Sequence, residues 1–323
     1  MFNYETNQES YSQATTSSIT IYLRGWLTLE RDYVGYGAHP PIVPWPEDNR
    51  LAISLVVNYE EGAEYSLTHG DDRQELLGEW GVKQFPPGVR NLANESFFEY
   101  GSRVGFWRLL DIFDKYDVKA TFGACALALE KNPEAASAIS EHGHEVCSHG
   151  YRWEEYYLMS EAEERERIRL AVASLEKTTG QRPQGWYCRT APSMNTRKLL
   201  VEEGGFLYDS DAYNDDLPYF VTVNSQRHLV IPYTGDVNDT HCWHSPGFET
   251  GFFDYLRDSF DYFYEESARI PRMMSVGLHM RIVGRPGRAK ALRDFIDYAR
   301  SKPGVWFARR IDIAKHFLAA FPE

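Results

Sequence analysis

Five stretches of this 323-residue sequence place proton-carrying side chains directly after short apolar runs. In chain order they are Asn58-Tyr59-Glu60-Glu61-Gly62, Ser148-His149-Gly150, Arg189 with Thr190-Ala191-Pro192, Asp209-Ser210-Asp211, and His279 with Met280-Arg281. Together they supply carboxylates, imidazoles and guanidinium groups. Such groups can deprotonate a water molecule, hold a substrate and protonate a leaving nitrogen. The residue types therefore indicate a hydrolytic site.

Each of these residues also has a structural interpretation, so the prediction depends on the set and not on one side chain. Glu60 and Glu61 can form a solvated turn, although an acidic pair between an apolar strand and Gly62 favours function. His149 can cap a helix or satisfy a core carbonyl. Arg189 can form a structural ion pair with any carboxylate.

Two aspartates and a histidine among the candidates can be structural as well. Asp209 and Asp211 can be turn formers, as can the nearby Asp215 and Asp216. His279 ends the apolar stretch MMSVGLH, where a buried structural histidine is the alternative. Random placement would not favour polar, proton-carrying residues at five strand ends, so we interpret these residues as one site.

Short apolar runs alternate with amphipathic helical segments from Leu51 onward, which predicts βα units and a parallel sheet. The candidate strands are Leu51–Val57, Ala120–Ala124, Glu145–Ser148, Gly185–Arg189, Phe206–Tyr208, Leu229–Tyr233, Met273–Leu278 and Val305–Ala308. About eight strands predict an α/β fold with a closed (β/α) barrel, whose active site lies at the C-terminal strand ends. An open doubly wound sheet is the alternative, but no glycine-rich phosphate loop follows the first strand.

Three predicted helices lie between these strands. Apolar side chains recur at helical spacing in Ser102–Tyr116. A second helix begins at Ser160, where Glu163 completes a capping box, and ends at Gly180. The third is indicated by the periodic residues Leu292, Phe295, Ile296 and Ala299. Without an internal linker or repeat, we expect one catalytic domain over residues 31–323 after a disordered tail, residues 1–30.

Charge and composition exclude several classes of partner. The formal net charge is −13 and no basic stripe interrupts it, so neither nucleic acid nor a membrane is an expected partner. The polar N-terminus lacks a secretory pattern, and no apolar run is long enough to span a bilayer. The four cysteines form no C-x-x-C pair. These features predict a soluble cytoplasmic protein with a small-molecule substrate.

The histidine spacing gives no complete metal triad. Trp153 stands four residues after His149, so no helical His-x-x-x-His pair is present there. Four other histidines lie in pairs that suit the start of a strand or a loop better than a ligand set: His142, His144, His241 and His244.

The order of the motifs resembles the polysaccharide deacetylase (NodB-type) family. The family's acidic, histidine, arginine and Leu-His motifs correspond to Tyr59–Gly62, Ser148–Gly150, Arg189–Pro192 and Leu278-His279, the third with one extra residue. Four longer stretches resemble its metal-independent allantoinase branch, which acts in purine catabolism: Asn58–Asp71, Glu99–Leu110, Gly205–Tyr219 and Gly277–Ala289. The resemblance implies a distorted TIM-like barrel of seven or eight strands and a homo-oligomer, with a tetramer as one option.

The sequence departs from the family at positions that concern a metal. Typical deacetylases have two aspartates where this chain has Glu60 and Glu61, and a second histidine where it has Trp153. Both changes damage the usual metal site, so we expect no cofactor. Zinc held weakly by Glu61 and His149 stays an alternative.

The resemblance also implies roles in the hydrolytic opening of a cyclic amide such as allantoin. Glu60 matches the family's base position and would take a proton from the attacking water, while His279 would protonate the leaving nitrogen. His149, Arg189 or a backbone N–H would stabilise the oxyanion, and Arg189 can instead hold a ureido carbonyl. Substrate binding is assigned to Glu61, Arg189, Asp209, Asp211 and Trp153.

Three other functions remain open. A hydrolase of another cyclic imide or hydantoin is hardly separable from an allantoinase by sequence. A polysaccharide or peptidoglycan N-deacetylase is opposed by the altered metal motif, the acidic charge and the lack of a secretory pattern. A non-catalytic small-molecule-binding barrel would be expected to have lost polar groups at several strand ends, whereas five are occupied.

Overall fold

The computed structural model describes residues 31–78, 85–241 and 248–322. Within these ranges nine strands are present: β1 (Leu51–Tyr59), β2 (Thr121–Ala124), β3 (Glu145–Ser148), β4 (Gly185–Trp186), β5 (Tyr208–Asp209), β6 (Tyr219–Val223), β7 (Gln226–Val230), β8 (Arg272–His279) and β9 (Val305–Phe307). The same ranges contain ten α-helices: α1 (Leu92–Tyr100), α2 (Phe106–Lys115), α3 (Ala126–Lys131), α4 (Pro133–Glu141), α5 (Glu161–Thr179), α6 (Thr196–Glu203), α7 (Phe248–Glu266), α8 (Met280–Val283), α9 (Pro286–Arg300) and α10 (Arg310–Ala320). A π-helical turn, Gly101–Gly105, joins α1 to α2.

The strands form one curled sheet in the order β6-β7-β5-β4-β3-β2-β1-β8, with β9 paired to the start of β1. Neighbouring strands are parallel except for the β6–β7 hairpin. All nine residues of β1 are buried, as expected for a strand covered on both faces. The predicted α/β barrel class is confirmed.

The sheet curls until the chain after β7 lies beside β8. Gly277 donates its N–H to the Val237 carbonyl (2.9 Å), and Asp239 donates its N–H to the Gly277 carbonyl (3.0 Å). This seam is an irregular segment and not a strand, which distinguishes the fold from a regular closed barrel. It also brings Asp239 to the C-terminal end of β8.

A buried arginine spans the seam from inside. Arg310 is only 1% exposed and donates to the hydroxyls of Ser210 and Ser275, both at 2.9 Å. It also donates to the carbonyls of Ile231 and Pro232, at 2.5 and 2.7 Å. These residues belong to the β5, β7 and β8 regions, so one guanidinium joins both sides of the seam.

The fourth and fifth predicted strands are reduced to two residues each in the structure. Only Gly185-Trp186 of the predicted Gly185–Arg189 pairs as β4, and β5 comprises Tyr208-Asp209 where Phe206–Tyr208 is predicted. Beyond β4 the backbone turns away from the sheet, and Thr190 adopts a left-handed conformation with φ 63°. The turn follows Arg189, which makes its contacts outside the sheet.

The hairpin of β6 and β7 is absent from the predictions. Its two-residue turn, Asn224-Ser225, has φ values of 50° and 61°, which suit the twist of a tight hairpin. The predicted strand Leu229–Tyr233 begins earlier, at Gln226, and leaves the ladder after Val230. Alternation of polar and apolar residues is weak in this partly exposed hairpin, so periodicity gives little signal.

The helix predictions are confirmed at α5 and α9. Ser160 and Glu163 form the predicted capping box, and α5 ends at Gly180 with φ 71°. The predicted helix Ser102–Tyr116 needs correction, because its first residues form the π turn and continue directly from α1.

The chain divides into two compact units, Met1–Pro40 and Pro41–Glu323, and the second contains every strand and α-helix named above. In the first unit, the Asp32 carboxylate accepts the N–H groups of Val34 and Gly35. The predicted tail, residues 1–30, lies outside the described residues, and the single catalytic domain over residues 31–323 stays a prediction. In the described part of the chain, no helix combines the length and apolar character that a membrane span requires.

Candidate active site

Three buried side chains meet where β1, β3 and β8 end. Glu60 Oε1 lies 3.4 Å from His149 Nε2 and 3.6 Å from His279 Nε2. The side chains are 2%, 1% and 8% exposed, so a proton exchanged here is shielded from bulk water. The structure thus brings together the three residues that are predicted to be catalytic.

The orientation of His149 is fixed by its other nitrogen. Nδ1 lies 2.8 Å from the Tyr187 carbonyl, and the imidazole stacks on the Tyr187 ring at 4.8 Å with an interplanar angle of 6°. A carbonyl can only accept, so Nδ1 carries the proton. Nε2 is therefore the ring nitrogen that faces Glu60 and is left to act there.

His279 is paired with a carboxylate that sequence reasoning missed. His279 Nδ1 donates to Asp239 Oδ1 at 2.7 Å, while Asp239 Oδ2 accepts the backbone N–H groups of His279 and Val283. Burial alone would lower the pKa of His279, but the charges of Asp239 and Glu60 outweigh it and raise that pKa to about 9. His279 is therefore an imidazolium at neutral pH. The irregular stretch around Asp239 gives no signal of this pairing in sequence.

Arg281 is the second site residue without a predicted role. Its Nη1 lies 2.7 Å from Glu60 Oε2 and 3.4 Å from Glu61 Oε1. Burial would raise the pKa of Glu60, but Arg281 and the two imidazoles outweigh it and hold the pKa well below its usual value. Glu60 is therefore ionised throughout the physiological range. Arg281 stands two residues after His279, at the end of the same strand. This spacing is the sequence signal that could have identified it.

Glu61 is buried and is held by backbone N–H groups. Its Oε2 accepts the N–H of Glu60 at 3.0 Å, and its Oε1 accepts the N–H of Arg281 at 3.2 Å. Burial raises the pKa of Glu61 to about 7, although the Arg281 guanidinium acts in the opposite direction. These contacts give Glu61 a part in positioning its neighbours, and its predicted binding of substrate stays a prediction.

Trp153 and Arg189 form one stacked pair beside this centre. The Arg189 guanidinium lies 3.8 Å from the Trp153 ring and donates to the Trp153 carbonyl at 2.8 Å. Arg189 also pairs with Glu75 at 2.8 Å and Glu155 at 3.6 Å. These contacts are those of the structural ion pair that the sequence offers as the alternative for Arg189. The predicted binding of substrate by Arg189 stays a prediction.

Asp209 and Asp211 lie in a separate network. Asp209 is fully buried. Its carboxylate accepts hydrogen bonds from the side chains of Arg197 and His228, both at 2.8 Å, and from the Asp211 N–H at 2.9 Å. Asp211 accepts the Cys188 N–H at 2.7 Å, and burial with the charge of Asp209 raises the pKa of Asp211 to about 7. The structure does not bring these two carboxylates into contact with Glu60.

The histidines predicted to lie in loops or at the start of a strand also lie apart from the site. His142 pairs with Asp114, and His144 accepts the Ala120 N–H. His241 contacts the Gly235 carbonyl, whereas His244 lies outside the described residues.

The side chains around Glu60 do not fit a divalent metal. The space next to both acidic groups is taken by the Arg281 guanidinium, a permanent cation 2.7 Å from Glu60 and 3.4 Å from Glu61. Trp153, which offers no metal-binding atom, lies against that guanidinium at 5.3 Å. Across the described ranges no three Asp, Glu, His or Cys side chains are arranged as a metal-ligand group.

Comparison with known proteins places this geometry in a family. A family model described as polysaccharide deacetylase matches residues 95–204. A Schizosaccharomyces pombe protein named "Putative polysaccharide deacetylase" is 41% identical over 314 residues, which are 90% of this chain and 98% of the relative. The chain belongs to the polysaccharide deacetylase family. The predicted family is thus confirmed, and with it a hydrolase that acts on carbon–nitrogen bonds.

Two similar solved structures cover nearly the whole chain. A "probable Polysaccharide deacetylase" from Pseudomonas aeruginosa PAO1 is 50% identical, with a TM-score of 0.86, and covers 91% of this chain and 99% of its own. A protein named PuuE allantoinase is 48% identical with the same TM-score, and covers 91% of this chain and 98% of its own. Both confirm the barrel of this deacetylase-family chain.

Proposed function

We propose that this deacetylase-family protein opens a cyclic amide, namely the hydantoin ring of allantoin, to give the open-chain ureido acid allantoate. The observation that carries the proposal is the position of Glu60 Oε1 between the Nε2 atoms of His149 and His279, at 3.4 and 3.6 Å. The substrate is suggested by the similarity to the protein named PuuE allantoinase.

Glu60 is the proposed base. Its carboxylate is held ionised by Arg281, and Oε1 is the oxygen that faces the imidazoles. As this carboxylate takes a proton, water oxygen attacks the ring carbonyl carbon. A strongly stabilised carboxylate is a weak base, so the attack gains from the cations that surround the developing negative charge.

His279 is the proposed acid. It holds a proton on each nitrogen near neutral pH, and Asp239 orients the ring through Nδ1. Transfer of the Nε2 proton to the ring nitrogen lets the carbon–nitrogen bond break. The water oxygen stays on the carbonyl carbon as a new carboxyl group, and the ring nitrogen leaves as part of the ureido chain.

His149 is the proposed group beside the oxyanion. Its Nδ1 proton is committed to the Tyr187 carbonyl, so only Nε2 can act on the reacting atoms. A neutral Nε2 accepts a proton, whereas a protonated Nε2 donates to an oxyanion. Arg189 is less suited to the oxyanion, because its guanidinium already contacts Glu75, Glu155 and the Trp153 carbonyl.

We further propose that the reaction needs no metal and that the active form is a homo-oligomer. The guanidinium beside Glu60 and Glu61 supports the first statement. The second rests on the allantoinase resemblance alone, and light scattering at micromolar concentration tests it: a monomer would contradict it.

An N-deacetylase is the second candidate, because several relatives carry deacetylase names. Both reactions need a base, an acid and an oxyanion donor around one carbonyl. They differ in the leaving group, which is tethered in a ring amide and separate in an N-acetyl sugar.

A substrate panel separates the candidates. Purified protein would be incubated with racemic allantoin, a simple hydantoin, a six-membered cyclic imide and an N-acetylglucosamine oligomer. We expect ureido-acid formation from allantoin at least 100-fold faster than acetate release from the oligomer. Glu60→Gln should abolish both reactions, while acetate release alone would support the N-deacetylase.

A further inference from the structure

The Arg281 guanidinium is enclosed by two carboxylates and two aromatic rings. Its Nη1 lies 2.7 Å from Glu60 and 3.4 Å from Glu61, and its central carbon lies 4.4 Å from the ring of Phe98 and 5.3 Å from that of Trp153. The side chain is 2% exposed. Ion pairing and cation–π contacts together hold this cation in one place.

The surrounding backbone is built to close over this pair of charges. Gly101 opens the π turn, and a Cβ at this position would lie 2.3 Å from Glu61 Oε1 and 2.9 Å from the backbone nitrogen of Arg281, whose N–H Glu61 Oε1 accepts. Any other residue would push the turn away from the carboxylate. The absence of a side chain at Gly101 therefore lets the π turn pack directly against Glu61 and the backbone of Arg281.

A positive charge is required at this point for electrostatic reasons. Glu60 and Glu61 are each at most 3% exposed, and adjacent buried carboxylates are costly without a counter-charge. Carboxylate oxygens next to the free nitrogen of an imidazole are also donors that divalent transition metals accept. The same place can thus be balanced by a metal ion or by an organic cation, but not by both.

We propose that Arg281 is a built-in cation that balances Glu60 and Glu61 in the place where a divalent metal ion would otherwise bind. Arg281 is a positioning residue, because it acts through Glu60 and not on the substrate. The kinetic part of this inference rests on the proposed function. Its metal-binding part needs no substrate and can be tested even if allantoin is not hydrolysed.

Removal of the guanidinium should create a metal site. In Arg281→Met, an apolar side chain of similar length keeps the packing against Phe98 and Trp153. We expect this variant to bind one Co²⁺ per chain at least tenfold more tightly than the native protein, measured by calorimetry and by the visible Co²⁺ spectrum. Adding Glu61→Gln should abolish the gain, because one of the two carboxylates is lost.

Arg189→Met is the matched control. It removes another buried guanidinium that contacts the same tryptophan, at 3.8 Å, and that pairs with carboxylates of its own. Arg281 stays beside Glu60 and Glu61 in this variant, so Co²⁺ affinity should equal that of the native protein. An equal gain in both variants would show that any lost guanidinium favours Co²⁺ and would overturn the proposal.

Two further variants keep the inference testable if Arg281→Met does not fold. Arg281→Lys preserves the charge and Arg281→Gln does not, so the lysine variant should melt at a higher temperature and retain at least tenfold more of any native activity. A folded Arg281→Met that binds Co²⁺ no better than the native chain would overturn the proposal. So would equal losses of stability in the lysine and glutamine variants.

Discussion

Glu60 divides its two oxygens between different partners. Oε2 faces the Arg281 guanidinium and Oε1 faces the two imidazoles. The first contact keeps the carboxylate ionised, and the second places it where a proton can be received and passed on. Glu60 therefore links the permanent charge of Arg281 to the titrating imidazoles, an arrangement that suits acid–base hydrolysis.

The proton on His279 depends on Asp239. Asp239→Asn removes the larger of the two negative charges, those of Asp239 and Glu60, that together raise the pKa of His279 to about 9. The pKa should then fall towards the ordinary histidine value of about 6.5, so the imidazolium would be lost at a lower pH. We predict that the basic limb of the kcat/KM profile for allantoin shifts to lower pH, with at least a tenfold loss of activity at pH 8.

Asp236→Asn is the control for this prediction. Asp236 lies in the same irregular segment, but its carboxylate accepts from the hydroxyls of Thr234 and Tyr255. Its replacement should leave the basic limb where it is in the native protein. An unshifted limb in Asp239→Asn would show that His279 is not the group whose ionisation controls the rate.

At the scale of elements, the π turn and α8 are packed unusually closely. A Cβ on Gly105 would lie 2.2 Å from the backbone oxygen of Met280, the residue that follows His279. Backbone atoms cannot move aside as a flexible side chain can. The position of α8, and with it the end of β8, therefore depends on a glycine in another element.

Gly105→Ala should destabilise the protein and disturb the site together. We predict a loss of about 1–3 kcal/mol in the free energy of unfolding, measured with urea, and a fall in kcat. Gly287→Ala is the control, because a Cβ there meets no atom within 4 Å. Its effect should stay within about 1 kcal/mol. Equal effects of the two substitutions would contradict the close packing.

The strands and the seam also explain which site residues could be predicted from the sequence. Glu60, His149 and His279 end strands with strong apolar patterns, so their meeting follows from the geometry of a barrel. Asp239 escaped prediction because the seam beside β8 has no periodic pattern. Asp209 follows a predicted strand as well, but its partners Arg197 and His228 come from elements whose position the sequence does not give.

At the scale of the whole molecule, Arg310 joins the two sides of the seam. Arg310→Ala would leave the hydroxyls of Ser210 and Ser275 and two carbonyls without this donor in a buried place. We predict a loss of about 3 kcal/mol or more in the free energy of unfolding. Thermal or urea unfolding followed by circular dichroism measures it.

The neighbouring Arg309→Ala provides the comparison. Arg309 pairs with Asp312 on the surface, where both side chains are 31% exposed. Exposed pairs of this kind contribute about 1 kcal/mol or less. If Arg310→Ala were as mild as Arg309→Ala, the seam would be held by backbone contacts and not by the buried guanidinium.

The initial rate of allantoin ring opening by chelator-treated protein tests the central claim most directly. Native protein should form the ureido acid at an unchanged rate after removal of metal ions, and Glu60→Gln should lower kcat at least 100-fold. No turnover of allantoin, with or without added zinc, would contradict the proposed substrate. Turnover that appears only when zinc is restored would contradict the metal-free mechanism.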